Sequence, residues 1–128
     1  MPKLLNLPTF DDKRGSLTVL DHLPFFPKRL YWIYNNRDSL ARGGHRHHRC
    51  RQVLVAVHGE CRIFSDDSIT QENFVLNKPE LALLVEPQDW HIMYAFSQDC
   101  VLLVIASESY DLSDYIDEPY RAVPDFNS

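Results

Sequence analysis

Three histidines and four arginines fall within the eleven residues from Arg42 to Gln52, in the order Arg-Gly-Gly-His-Arg-His-His-Arg-Cys-Arg-Gln. An imidazole titrates close to neutral pH, so it can take up and return a proton, and it is also a common metal ligand. In an extended chain, residues two apart share a face and lie about 6.5 Å from each other. That sets His45 and His47 on one wall, with Arg46 and His48 on the other. Two imidazoles beside arginines suit proton transfer on, or binding of, a small anionic molecule. His22 and His58 lack such company and read as structural or turn residues.

The elements that must hold this pair are strands. Directly after Gln52, Val53, Val55 and Val57 alternate with Leu54, Ala56 and His58, the pattern of a strand buried on both faces or nearly so. Ahead of the pair, Arg29 to Tyr34 alternates Arg29, Tyr31 and Ile33 with Leu30, Trp32 and Tyr34. Downstream, the turns His58-Gly59-Glu60, Ser65 to Ser68, Asn77 to Glu80, Glu86 to Asp89 and Ser97 to Asp99 separate short apolar runs, which predicts hairpins in series. Short strands at such spacing, without an amphipathic helix between them, predict an antiparallel sandwich or barrel. Helix is expected only in the tail, as one or two turns within Ser109 to Ile116, stopped by Pro119. Neither a repeat nor a linker divides the chain, so residues 1–128 are expected to form a single domain.

Composition narrows the function classes. With 128 residues and 45% hydrophobic content, the chain can bury a real core. Cys50, Cys61 and Cys100 are odd in number and without CxxC spacing, which reads as buried thiols in a reducing cytoplasm rather than a disulfide or zinc framework. No apolar run suits a signal peptide or a membrane span, so a cytoplasmic protein without a membrane partner is expected. Residues 1–51 carry ten Lys/Arg against four Asp/Glu, whereas residues 52–128 carry three against fourteen, giving −5 in all. A focused positive site in an acidic chain fits a small anion better than nucleic acid.

The series His45-x-His47-x4-Gln52-x6-Gly59, followed by Pro87-Gln88-Asp89-Trp90-His91, resembles the two cupin motifs. The resemblance implies an all-β cupin fold, an antiparallel β-sandwich or jelly roll with a short C-terminal helical segment. Metal cupins use three histidines and a glutamate. Here Gln52, a neutral amide, stands at the glutamate position, and His91 falls one residue early after its proline, which reverses its face unless a turn or bulge absorbs the step. No metal ligand set is therefore assigned.

A narrower resemblance runs over nearly the whole chain: Phe10-Asp11-x-x-Arg14-Gly15-x-Leu17, Leu23-Pro24-Phe25, Arg29-x-Tyr31, Arg42-Gly43-Gly44-His45-x-His47-x4-Gln52, Trp90 and Tyr110-x4-Tyr115-Ile116. This order is similar to the nucleoside-diphosphate-sugar 3,4-ketoisomerases of deoxyaminosugar pathways. The departures from that family's pattern, Arg46 between the histidines and His48 after them, belong to the opposite face. The resemblance implies conversion of a dTDP-linked 4-keto-6-deoxyhexose to its 3-keto isomer through an enediolate, without metal or redox cofactor, by a homodimer. On this reading His47 is the principal base and His45 its partner, with the order within the pair open. His91 reaches the same cavity. Arg14, Arg29 and Arg42 are candidates for the diphosphate, and Tyr31, Gln52 and Trp90 complete the substrate-binding set, with Trp32 and Phe25 as further aromatics for stacking or packing. The rival readings are a metal-dependent cupin enzyme, a non-catalytic nucleotide-sugar sensor, and an epimerase acting at C3 or C5.

Overall fold

In a computed structural model that describes residues 1–127, the alternating runs become β1 (Lys3–Asn6), β2 (Thr9–Asp12), β3 (Gly15–Thr18), β4 (Arg29–Ile33), β5 (Arg42–His47) and β6 (Gln52–His58). They are followed by β7 (Cys61–Asp66), β8 (Gln71–Leu76), β9 (Leu81–Val85), β10 (Trp90–Tyr94), β11 (Val101–Ala106) and β12 (Tyr115–Ile116). Two five-stranded antiparallel sheets, ordered β1-β9-β6-β11-β4 and β12-β5-β10-β7-β8, face each other, and β2 and β3 form a separate hairpin. This is the all-β cupin sandwich expected from the sequence.

The connections are less local than a series of hairpins. The strands β7 and β8 pair with each other, as do β2 and β3, but β6 pairs with β9 and β11 while its successor β7 lies in the opposite sheet. Gly59 makes that crossing possible. Its φ is +67°, and a Cβ there would come within 2.7 Å of the Cys100 Cα.

Burial explains why β6, β9 and β11 read as continuous apolar runs. Leu54, Ala56, Leu83, Val85, Leu102 and Val104 point between the sheets, where they meet Ile63, Phe74, Leu76 and Met93. On the outer side of the same sheet Val53, Val55, Ala82, Leu84 and Ile105 form a second cluster, covered by Leu5, Leu7, Leu20, Leu23 and Phe25 from the N-terminal segment. The proline-bounded Leu23–Phe25 stretch is thus a lid on the sheet. All three cysteines are buried and free. No helix among the described residues is long and apolar enough to cross a membrane.

The tail departs from expectation in extent. Its helical part is one 3₁₀ turn, Leu112–Asp114, and Tyr115 and Ile116, placed by the sequence within that helix, leave it to pair with β5. Aromatic and β-branched side chains favour a pleated neighbour, and β5 presents a free edge to them.

Candidate active site

The strand β5 carries the histidine pair, and its two neighbours complete the wall. Gly43 and Gly44 enter it with φ of +90° and +79°, and a Cβ on Gly43 would stand 3.0 Å from the His91 carbonyl, so this edge needs glycine to approach β10. There His91 lies opposite His45, and the register shifts between His91 and Ile92. That irregularity absorbs the one-residue displacement seen in the sequence and turns His91 to the same side. The ring centroids lie 5.1 Å apart for His45 and His47, 5.4 Å for His45 and His91, and 6.5 Å for His47 and His91.

From the other side, β12 brings Tyr115 opposite His47, and its ring sits 4.7 Å from His45 and 4.6 Å from His47. The 3₁₀ turn before it is tied by the Asp111 carboxylate, which accepts from the Ser113 backbone N–H. This turn delivers Asp114. The buried Asp114 carboxylate accepts from His47 Nδ1 at 3.0 Å, from the Arg49 N–H at 2.8 Å and from the Cys50 N–H at 3.2 Å. Among the described residues, His47 Nε2 is buried without a hydrogen-bond partner, as is Arg29 Nε. The Arg29 guanidinium lies over the rings of Tyr31 and Tyr110, at 5.4 and 5.8 Å, and interacts with the Tyr115 hydroxyl.

Burial dominates the electrostatics of the wall. It drives His45 down to about 3, helped by the His91 and His47 rings beside it. It drives His91 down to about 4, against the support of the Asp89 carbonyl that receives its Nδ1–H at 3.0 Å. His47 is also lowered by burial, but the hydrogen bond and charge of Asp114 oppose the shift. Tyr31, a half-buried residue of β4, is raised by desolvation to about 12. The wall therefore presents neutral imidazoles at neutral pH, able to accept protons, and one of them is backed by a carboxylate.

In front of this wall lies an open cavity of about 550 Å³, lined by Arg29, Tyr31, Trp32, Arg42, His45 and Tyr115 among others. That size suits a small-molecule site. Of the residues singled out in the sequence, His45, Arg29, Tyr31 and Arg42 border the cavity, while His47 and His91 are buried next to His45. Gln52 is buried and donates its amide to the Tyr31 hydroxyl at 3.2 Å, so it braces the lining rather than forming it. Trp90 is in the core, its indole N–H bonded to the Asp117 carbonyl at 3.0 Å. Phe25 packs on the outer cluster. Arg14 stands on the β2–β3 hairpin, paired with Asp12 at 2.6 Å, against a separate concavity, and is not brought to the histidines within this chain.

Two contributors escaped sequence reasoning. In the sequence Asp114 is only part of the expected tail helix, and Tyr115 is part of that helix and of the matching pattern; both lie about seventy residues from His45 and His47, and no local spacing signals the contact. His47, Cys50 and Asp114 also place ligand-type atoms within 4.8 Å of one another. Within the cluster Asp114 accepts from His47 Nδ1 and from the Cys50 N–H, and the Cys50 thiol donates to the Arg51 carbonyl. This cluster is a hydrogen-bonded brace.

Comparison with known proteins shows what the chain is similar to. The profile of the family described as "FdtA: WxcM-like, C-terminal" matches residues 1–123. The TDP-4-oxo-6-deoxy-alpha-D-glucose-3,4-oxoisomerase of Aneurinibacillus thermoaerophilus is 40% identical over 117 residues, covering 89% of this chain and 84% of the relative. Among solved structures, a 3,4-ketoisomerase from Helicobacter canadensis superposes with a TM-score of 0.86 at 36% identity, covering 91% and 90% of the two chains. The WlaRB TDP-quinovose 3,4-ketoisomerase from Campylobacter jejuni gives 0.86 at 38% identity, covering 91% and 92%.

Proposed function

We propose, from the premise that this chain belongs to the FdtA, WxcM-like C-terminal family, that it is a sugar 3,4-ketoisomerase acting on a dTDP-linked 4-keto-6-deoxyhexose. The observation that carries the reading is the wall of neutral imidazoles, His45, His47 and His91, beside a cavity bordered by Arg29 and Arg42. The names of the relatives support a TDP-sugar as the substrate class.

The chemistry needs only a proton carrier and donors for an oxyanion. A base removes the proton from C3, the electron pair forms the C3=C4 bond, and charge gathers on O4. A proton then enters at C4 while the O3 hydroxyl loses its own, leaving the ketone at C3. Carbon 3 is oxidised and carbon 4 reduced within one molecule, so no external electron acceptor is required. A positioned base contributes about 10² to 10⁴ in rate. Each preorganised oxyanion donor adds about 3 kcal/mol.

The electrostatics give the two histidines different parts. An imidazole held to about 3 carries positive charge poorly, so His45 suits a neutral donor at the sugar oxygen. His47, whose protonated form is supported by Asp114, suits the base. Arg29 and Arg42 are assigned to the diphosphate, for which the guanidinium geometry is fitted. In this reading residues 1–128 work as one cupin domain, in the cytoplasm and as a homodimer. Support for the dimer is the edge strand β4, on which Leu30 and Trp32 are each 56% exposed, as is Tyr34 just after it.

Incubation with TDP-4-keto-6-deoxyglucose, followed by proton NMR, tests the reading. The expected product is the 3-keto isomer. Substrate recovered unchanged, with tight binding by calorimetry, would instead make this cupin a sensor.

A further inference from the structure

We propose that Cys61 and Cys100 form a redox modification site, a dithiol that a peroxide closes into an intrachain disulfide stapling the two sheets together. Both side chains are buried in the core between the sheets, and both are free thiols. Cys61 opens β7 in one sheet, and Cys100 directly precedes β11 in the other. The backbone around them is clamped. The Ser97 N–H donates to the Glu60 carbonyl at 2.9 Å, the Glu60 N–H donates back to the Ser97 hydroxyl at 2.9 Å, and the Cys100 N–H donates to the Ser97 carbonyl at 3.0 Å. Gly59 completes the approach, since a Cβ there would stand 2.7 Å from the Cys100 Cα. Across this clamp the Cys61 thiol donates a hydrogen bond to the Cys100 sulfur.

The third thiol is excluded by position. Cys50 lies beyond the opposite end of β6, which at about 3.3 Å per residue separates it from Cys61 by roughly 20 Å. Neither Cys61 nor Cys100 borders the cavity beside the histidines, so sugar chemistry makes no use of them. The bond between them also sets their order of reaction. It supports the Cys100 thiolate and holds the proton on Cys61, so Cys100 is the nucleophile. Gln98 and Asp99, beside Cys100, are exposed, and opening of that one turn admits a molecule as small as hydrogen peroxide. The Cys100 thiolate attacks the peroxide: an S–O bond forms, the O–O bond breaks, and the departing hydroxide takes up a proton as water. The Cys61 sulfur then attacks the sulfenic sulfur, forming the S–S bond and breaking the S–O bond, and the hydroxyl leaves with the Cys61 proton as a second water. Two thiols and one peroxide thus give one disulfide and two waters, with two electrons passing from sulfur to the peroxide oxygens. In a reducing compartment the pair rests as thiols, and the staple forms under oxidative stress.

Treating the folded full-length chain with hydrogen peroxide, blocking the remaining thiols and mapping non-reduced peptides by mass spectrometry tests the proposal. The expected product links Cys61 to Cys100, lacks two hydrogens and leaves Cys50 free. Closing about forty residues of chain should raise the unfolding temperature by on the order of 5 to 10 °C, reversibly on addition of dithiothreitol. Cys50→Ser should keep both the crosslink and the rise, whereas Cys100→Ser should lose both. Treatment in urea should spread crosslinks over all three cysteine pairs, showing that the fold selects this one. Wild-type protein in which Cys61 and Cys100 stay free, end as sulfinic or sulfonic acids, or link to Cys50 would overturn the proposal, as would a crosslinked protein that unfolds no later than the reduced one.

Discussion

His91 pairs against His45 at the centre of the wall, yet it carries its neutrality at a cost that pH exposes. In the unfolded chain its imidazole titrates near 6.5, whereas the folded site keeps it neutral down to about 4. Between those values the unfolded chain binds more protons, so stability is fully present above about 6.5 and is lost as pH falls towards 4. For a fully buried ring this loss amounts to roughly 3 kcal/mol. His45, lowered in the same direction, adds to the trend. Urea unfolding at pH 7, 5.5 and 4.5 should show the midpoint falling, and His91→Gln should flatten the fall; an equal slope in the variant would mean that His91 is not its source. At this scale the sequence is informative where residues are close along the chain. The HxH pair announces a shared wall through strand periodicity alone, and Arg46 and His48 are correctly set apart from it: Arg46 lies over the Tyr120 ring at 4.4 Å, and His48 is exposed. Asp114 is invisible in the same terms, because its partner is 67 residues away.

The elements that place these side chains depend on how closely β5 and β10 can approach. Gly43 and Gly44 both have positive φ, but their surroundings differ: a Cβ on Gly43 meets the His91 carbonyl at 3.0 Å, whereas one on Gly44 finds only the Trp90 ring at 3.9 Å. Both alanine variants carry backbone strain of about 1 to 3 kcal/mol. Only Gly43→Ala should also displace β10, so it is expected to lose more stability by denaturant titration, and more activity, than Gly44→Ala. Equal effects would contradict the close-approach argument. The edge strand β4 is legible because its burial alternates with period two, Leu30 and Trp32 facing outward, whereas β6 and β9 are legible as short unbroken apolar runs between turns. Their pairing was not legible. Whether β6 joins β7 or β9 depends on which faces are covered by distant segments, and the register shift at His91 is set by its neighbours rather than by its own residues. The tail likewise became a strand because β5 offered it an edge.

For the whole molecule, the charge asymmetry of the sequence becomes a location: Arg29 and Arg42 border the cavity, while Arg14 stays on a hairpin outside it. A homodimer joined along β4 should show twice the chain mass by light scattering, and Leu30→Asp should shift it towards monomer; monomeric wild-type protein would remove the dimer from the account. On the proposed reading, neutral imidazoles move a proton between two sugar carbons without a metal. Gln52, its amide spent on Tyr31, is a poor substitute for a carboxylate ligand. The most direct measurement is turnover of TDP-4-keto-6-deoxyglucose in D₂O by chelator-treated enzyme, read by NMR. Undiminished formation of the 3-keto sugar is expected; activity abolished by the chelator, or no 3-keto product at all, would contradict the metal-free proton transfer.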